Sequence, residues 1–181
     1  MHNPWKTLSS KPIYRNPWFS VREDQVTRPD GRPGIYGVVE TRIATGAVAV
    51  TGDGEVYLVG QYRYPLDCYS WEVPEGGAEE GEDPLTAIQR ELREEAGIVA
   101  RTWTPLGGAI HLSNCISSET GYVFLAEDLT ETDADPDETE LLCVRKVPFA
   151  QALAMVDANE ITDAVSIIAL LRADRYLRSR S

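Results

Sequence analysis

Cysteine and histidine are scarce in this chain. The three cysteines, Cys68, Cys115 and Cys143, are odd in number, far apart and without a C-x-x-C spacing. Neither a disulfide framework nor a zinc site is indicated, and a reducing cytoplasm is the simplest setting. Only His2 and His111 are present, which removes His-rich metal chemistry and argues against a Ser-His-Asp triad. His111 reads as a structural or loop residue. Positive charge is also short: 17 Lys and Arg against 29 Asp and Glu give a formal net charge of −12. That balance argues against a general nucleic-acid binder, whose affinity rests on neutralising phosphates with Lys and Arg. A small phosphorylated substrate stays compatible, because bound metal ions can supply positive charge locally. No apolar run approaches the ~20 residues of a membrane span, and the start Met1-His-Asn-Pro-Trp-Lys lacks a signal-peptide core.

What is present is ordinary globular material. At 181 residues, 43% hydrophobic and 25% charged, the chain suits one domain with a substantial core, or a main domain with a small appendage. Residues 12 to 45 read as a small β unit. Alternation runs from Pro12 to Val26, a turn falls at Pro29-Asp-Gly-Arg-Pro-Gly, and a strand resumes at Ile35. From 46 the pattern changes. Ala47-Val-Ala-Val, a Gly-Asp-Gly turn at 52 to 54 and Val56 to Tyr64 suggest a hairpin of partly buried strands. A helix is expected after Asp83, a good N-cap, with Pro84 at its first position and Leu85, Ile88, Leu92 and Ala96 as a core stripe. Further strands are expected at 121–126 and 141–147, and helices near 148–157 and 162–178. In the last of these Ile161, Val165, Ile168 and Leu171 keep helical spacing for packing.

The helix after Asp83 carries the most informative feature. Glu91, Glu94 and Glu95 fall at i, i+3 and i+4, so like charges share one face within a turn. They sit at the C-terminal end, where the macrodipole already disfavours them. Carboxylates held close suit a hard divalent cation such as Mg²⁺, which takes oxygen ligands and keeps places for water and phosphate. Surface helices are often Glu-rich for solubility alone, so the decision rests on the surrounding spacing. Gly76, Glu82, Arg90, Glu91, Leu92, Glu94, Glu95, Gly97 and Ile98 fill every fixed position of G-x5-E-x7-R-E-U-x-E-E-x-G-U, U being a bulky aliphatic. Gly97 reads as a left-handed C-cap, while Gly76 and Gly77 let the loop backbone approach a metal or phosphate.

That pattern resembles the Nudix box, and the chain is similar to the Nudix hydrolases. The resemblance implies an α/β/α sandwich with a mixed β-sheet, and metal-assisted attack of water on a nucleoside diphosphate linked to another group. Beyond the box it extends to the ADP-ribose and nucleoside-diphosphate-sugar pyrophosphatase branch. The segments that carry it are the Trp18-Phe-Ser-Val unit, Gln61-Tyr-Arg-Tyr, Trp71-Glu-Val-Pro-Glu-Gly-Gly, Ser117-Ser-Glu-Thr-Gly-Tyr, the acidic Pro136-Asp-Glu-Thr-Glu-Leu and Ile161-Thr-Asp-Ala-Val-Ser. It implies an N-terminal subdomain at 1–45 for dimerisation and base binding, a catalytic domain at 46–181, and a homodimer without nucleic-acid or membrane partners.

By the same resemblance Glu91 and Glu95 are the main ligands of Mg²⁺, or of Mn²⁺, with Glu94 sharing a metal and the Glu75 carbonyl completing the set. Arg90 orients a glutamate. The catalytic base is Glu140, with Glu138 next. Trp18 and Tyr36 stack on the base, Arg63 clamps the diphosphate, and Glu119 joins the substrate contacts. One departure stands out. Many ADP-ribose-specific members have a proline about fifteen residues beyond the box, where this chain has His111-Leu-Ser-Asn-Cys. A broader sugar range, GDP-mannose, or a non-catalytic nucleotide-binding module are the alternatives.

Overall fold

The computed structural model describes residues 2–134 and 141–180. Its elements are β1 (Lys6–Arg15), β2 (Phe19–Thr27), β3 (Pro33–Thr41), β4 (Ala44–Ala49), β5 (Glu55–Arg63), β6 (Cys68–Glu72), β7 (Glu75–Gly77), α1 (Pro84–Ala96), β8 (Ile98–Pro105), β9 (Ile110–His111), β10 (Thr120–Glu131), β11 (Cys143–Pro148), α2 (Phe149–Asp157) and α3 (Ala164–Arg180). They divide into two compact units, Met1–Arg42 with His111–Thr120, and Ile43–Ile110 with Gly121–Ser181.

The first unit is an antiparallel sheet in the order β1-β2-β3. The single strand expected over Pro12 to Val26 is broken in two at Asn16-Pro17-Trp18. Asn16 Oδ1 accepts the N–H groups of both Trp18 and Phe19 at 2.8 Å, and Pro17 has no N–H to offer a ladder, so the chain turns back there. The segment 111–120 joins this unit through β3: Val39 N–H donates to the Ile116 carbonyl at 2.9 Å, and Ser118 N–H to the Val39 carbonyl at 3.0 Å.

In the second unit one sheet runs β7-β4-β10-β8 and another β11-β5-β6. β4 and β10 are parallel while β4–β7 and β10–β8 are antiparallel, which makes the first of these mixed. The expected hairpin of β4 with β5 does not form. Both edges of β4 are taken by β10 and β7, Val50 N–H goes to the Ala126 carbonyl at 2.9 Å, and only an isolated Val50–Val56 bridge links the two segments. β5 starts the second sheet instead, between β11 and β6.

Successive strand residues face opposite ways, and β4 uses this to separate the helices. Ala47 packs with Ile88 and Phe124, and Ala49 with Leu92, Ile98 and Ala126, on the α1 side. Gly46 faces α3, where an added Cβ would stand 2.7 Å from Val165. The mixed sheet therefore lies between α1 and α3, the expected α/β/α layering. Ile88 and Leu92 are fully buried, with Leu85 and Ala96 partly so. On α3 the stripe is rotated from expectation: Leu171 is 50% exposed, while Val165, Ser166, Ala169, Leu170 and Ala173 form the buried face. No helix among the described residues is long and apolar enough to cross a membrane.

Candidate active site

Helix α1 starts and stops where its end residues dictate. Asp83 Oδ1 accepts the Leu85 N–H at 2.9 Å, satisfying one of the first unpaired donors with Pro84 at the first helical position. Gly97 closes the helix at φ 64°, its N–H donating to the Arg93 carbonyl at 3.0 Å. A Cβ on Gly97 would also stand 2.6 Å from the Thr132 carbonyl.

The repulsion among the helix carboxylates is answered chiefly by Arg90, with Arg93 also within 3.6 Å of Glu94. Arg90 Nη1 donates to Glu91 Oε1 at 2.8 Å and to Glu94 Oε2 at 3.1 Å. Its Nε and Nη2 donate to Glu82 at 3.3 and 3.1 Å, and Nη2 also reaches the Gly77 carbonyl at 3.3 Å. Glu82 is thus a brace, not a free acidic loop residue: it also accepts the Glu79 N–H at 2.8 Å. Hydrogen bonding from Arg90 and then from Glu79 holds the Glu82 carboxyl below the usual range. The expectation that Arg90 orients glutamates matches this geometry.

Glu95 points the other way, into the protein, and is 4% exposed. Its Oε2 accepts the main-chain N–H of Glu75 at 3.0 Å, tying the box loop to α1. Gly76 lies directly against the other ligand candidate, since any Cβ there would overlap the Glu91 carboxylate. Any larger residue would have to displace the Glu91 carboxylate from its present place.

The Glu75 side chain enters a second, buried cluster. Its Oε1 accepts from Arg63 Nη2 at 2.8 Å and its Oε2 from Ser166 Oγ at 3.5 Å. Burial, then the carboxylates of Asp163 and Glu72, push the Glu75 carboxyl well above its ordinary range, with Arg63 opposing. Arg63 also donates through Nε to Glu72 Oε1 at 2.9 Å and through Nη2 to Glu72 Oε2. The residue expected to clamp a diphosphate is thus committed at two of its nitrogens to Glu72 and Glu75.

The box glutamates come together on α1 and the adjoining loop, but in this arrangement Arg90 stands among Glu82, Glu91 and Glu94. Among the described residues no three acidic, His or Cys side chains converge as a cage for an ion. The donor set still fits a hard divalent cation: three carboxylates on one helix end, a loop backbone drawn against them by glycine, and no nitrogen or sulfur ligand. In the first unit, Trp18 is 69% exposed, whereas the Tyr36 ring meets Trp5 edge-on at 5.3 Å and its hydroxyl donates to the Cys115 carbonyl at 2.9 Å. Tyr36 pairs with Asp24, and Phe19, next to Trp18, pairs with Thr41. Five residues of strand, about 17 Å, keep Trp18 and Tyr36 apart within one chain. Glu119 takes part in the 111–120 turn, its N–H donating to Ser117 Oγ at 2.9 Å. Glu138 and Glu140 lie outside the described residues.

Sequence reasoning passed over Glu72, Asp163 and Ser166. All three lie inside segments that carry the resemblance, Glu72 in one and Asp163 and Ser166 in another. The signal for Ser166 is a lone hydroxyl on an otherwise apolar helix face.

A model for the NUDIX domain matches residues 40–170, and one for the nucleoside diphosphate sugar hydrolase N-terminal domain matches residues 5–39. An ADP-ribose pyrophosphatase of Bacillus subtilis is 32% identical over 167 residues, covering 91% of this chain and 90% of its own length. One from Mycobacterium tuberculosis is 33% identical over 171 residues, covering 92% and 82%. A methanol dehydrogenase activator of Bacillus methanolicus is 28% identical over 167 residues, covering 91% and 90%. A solved structure described as an ADP compounds hydrolase superposes with a TM-score of 0.84 at 21% identity, over 98% of this chain and 96% of that one, a likeness of fold. With the family model spanning most of its length and its carboxylates intact on α1, the chain belongs to the Nudix hydrolases.

Proposed function

We propose that this protein hydrolyses the pyrophosphate bond of a nucleoside diphosphate sugar in a divalent-metal-dependent reaction, converting ADP-ribose to AMP and ribose 5-phosphate. The observation that carries this reading is the complete box on α1, with Glu95 joined to the Glu75 main chain. The two ADP-ribose pyrophosphatases that align over more than nine-tenths of the chain supply the substrate class.

Glu91, Glu94, Glu95 and the Glu75 carbonyl would hold Mg²⁺, with Mn²⁺ able to replace it. A bound cation would neutralise phosphate charge and lower the pKa of the attacking water. The protein's own groups do the remainder. Glu140 accepts the proton of that water, with Glu138 as the nearest substitute; wild-type turnover in Glu140→Gln would remove this assignment. Arg90 holds the glutamates in register until they are needed. Trp18 and Tyr36 bind the base and Glu119 joins the substrate contacts. Arg63 would contact the diphosphate while its Nε and Nη2 stay with Glu72 and Glu75.

A homodimer accounts for the first unit, where β1 is exposed throughout and Leu8, Ile13 and Tyr14 present apolar surface without cover. Light scattering at micromolar concentration should give twice the chain mass; the single-chain mass would sink the dimer. Three free, exposed thiols suit a reducing cytoplasm.

The test of the activity is a product-resolved screen of ADP-ribose, ADP-glucose, GDP-mannose, UDP-glucose and dGTP with Mg²⁺, each repeated with chelator. Chelator-sensitive release of AMP from ADP-ribose is the expected result. Preferential release of GMP from GDP-mannose would move the protein to the alternative substrate. Tight nucleotide binding with no metal-dependent turnover on any of the five would make it a binding module.

A further inference from the structure

The passage from β6 to β7 is only Val73 and Pro74, and in those two residues the chain leaves one sheet and enters the other. Between the two ladders Val73 N–H needs a partner of its own, because a buried N–H without one carries its full desolvation cost. Val73 is fully buried, and its N–H finds Ser166 Oγ at 3.0 Å, on α3. The same hydroxyl faces the Glu75 carboxylate at 3.5 Å. Pro74 presents its carbonyl to the Ala47 N–H at 2.9 Å. One residue later, Glu75 N–H meets Glu95 Oε2 at 3.0 Å. The crossing is therefore pinned three times in succession, by α3, by β4 and by a ligand candidate on α1.

Ser166 is unusual for its place. Asp163 caps α3, accepting the Ser166 N–H at 2.7 Å, so Ser166 stands at the third helical position. In a capping box that position carries Glu or Gln, whose side chain folds back onto the cap residue. A serine inside a helix commonly bonds a carbonyl of its own preceding turn. Ser166 does neither: it is fully buried among Val165, Ala169 and Leu170 and spends its hydroxyl on the crossing.

We infer that Ser166 is a positioning residue of the hydrolytic site, setting the depth of the 73–75 backbone so that the Glu75 main chain and the Glu95 carboxylate stay in register for the cation. This rests on the reading of Glu95 and the Glu75 carbonyl as metal ligands. Ser166 touches neither substrate nor cation; its effect passes through Val73 and Glu75.

The probe is Mn²⁺ alone, titrated into the full-length protein without substrate and followed by electron paramagnetic resonance, alongside melting curves and steady-state rates. Ser166→Ala should weaken Mn²⁺ binding about 10- to 100-fold, the range for partners that orient metal ligands. Its kcat should fall while KM changes little. Ser166→Thr keeps the oxygen and should keep the affinity. Leu170→Ala, on the same buried face, should lower the melting temperature and leave Mn²⁺ binding unchanged. Should Ser166→Ala fail to fold, Ser166→Cys, nearly isosteric and a weaker acceptor, should give a smaller shift in the same direction. Mn²⁺ affinity within twofold of the parent in a folded Ser166→Ala or Ser166→Cys would overturn the inference, as would a folded Ser166→Thr that loses it. Unchanged Mn²⁺ binding in Glu95→Gln would instead bring down the underlying ligand assignment.

Discussion

The two units of this chain face the problem of burial in opposite ways. The second keeps Leu58, Ile88, Leu92, Ile98, Leu125, Ile161 and Leu170 essentially out of contact with water, and even buries acidic groups, Glu72 and Glu95, beside partners. In the first, Asp24 and Val26 are the only buried side chains among the described residues, while Leu8, Ile13, Tyr14, Trp18 and Ile35 are exposed. A sheet whose apolar face stays open to water forgoes the burial that would stabilise it. On the proposed function, chemistry that depends on fixed distances would belong to the second unit and adaptable recognition to the first. The contrast predicts that substitutions in the two units will fail in different kinetic constants.

The largest effect should come from Glu95, the buried ligand candidate. Glu95→Gln keeps an oxygen for the Glu75 N–H but removes the charge, and should cost several kcal/mol of transition-state stabilisation, about a thousandfold in kcat, with the circular dichroism of the parent. A variant that keeps its rate would break the comparison at its strongest point. Next comes Arg90→Met, which leaves Glu82, Glu91 and Glu94 without their common partner. We expect a loss of about 2 kcal/mol in chelator, partly recovered on adding Mg²⁺, as read by denaturant titration. In the first unit Trp18→Ala should act on KM instead, raising it by the equivalent of about 1–3 kcal/mol of stacking, while kcat stays within a few-fold. Equal losses in both constants would erase the distinction between the units.

The smallest effect concerns pH. The folded-state pKa of Glu82 is depressed, chiefly by Arg90. The unfolded chain therefore binds more protons in the window below the ordinary glutamate value of about 4.3. The Glu82 contribution to stability is present above that value and is lost as pH falls through the depressed one. Melting temperatures of the parent and Glu82→Gln, measured from pH 6 to 3, should converge at the acid end. A constant gap between them would mean that Glu82 acts by packing alone.

How far the sequence was legible follows from which interactions are local. Helix α1 could be placed to the residue because Asp83, Pro84 and Gly97 act on their own neighbours, and the stripe of Ile88 and Leu92 recurs at the helical period. The order of the strands was not readable. The segments around Val48 and Leu58 look like the two arms of a hairpin, yet β4 and β5 belong to different sheets, a matter decided by β10 arriving from far along the chain. Ser166 was invisible for the same reason, since its partners Val73 and Glu75 lie on a distant stretch of the sequence. The break at Asn16 was locally encoded, but strand alternation on both sides of it read as one strand. Charge clustering located the glutamates without revealing that Glu95 turns inward while Glu91 and Glu94 share Arg90.

That shared arginine bears on the order in which the protein matures. A helix ending in several carboxylates carries about 0.2–0.5 kcal/mol of repulsion for each like-charged pair one turn apart. Here Arg90 travels on the same helix and supplies the counter-charge from the moment the turn forms, with Glu82 fastening it to the loop. The polypeptide is therefore expected to keep its native shape in the presence of a chelator, so that binding of a divalent cation would be separable from folding.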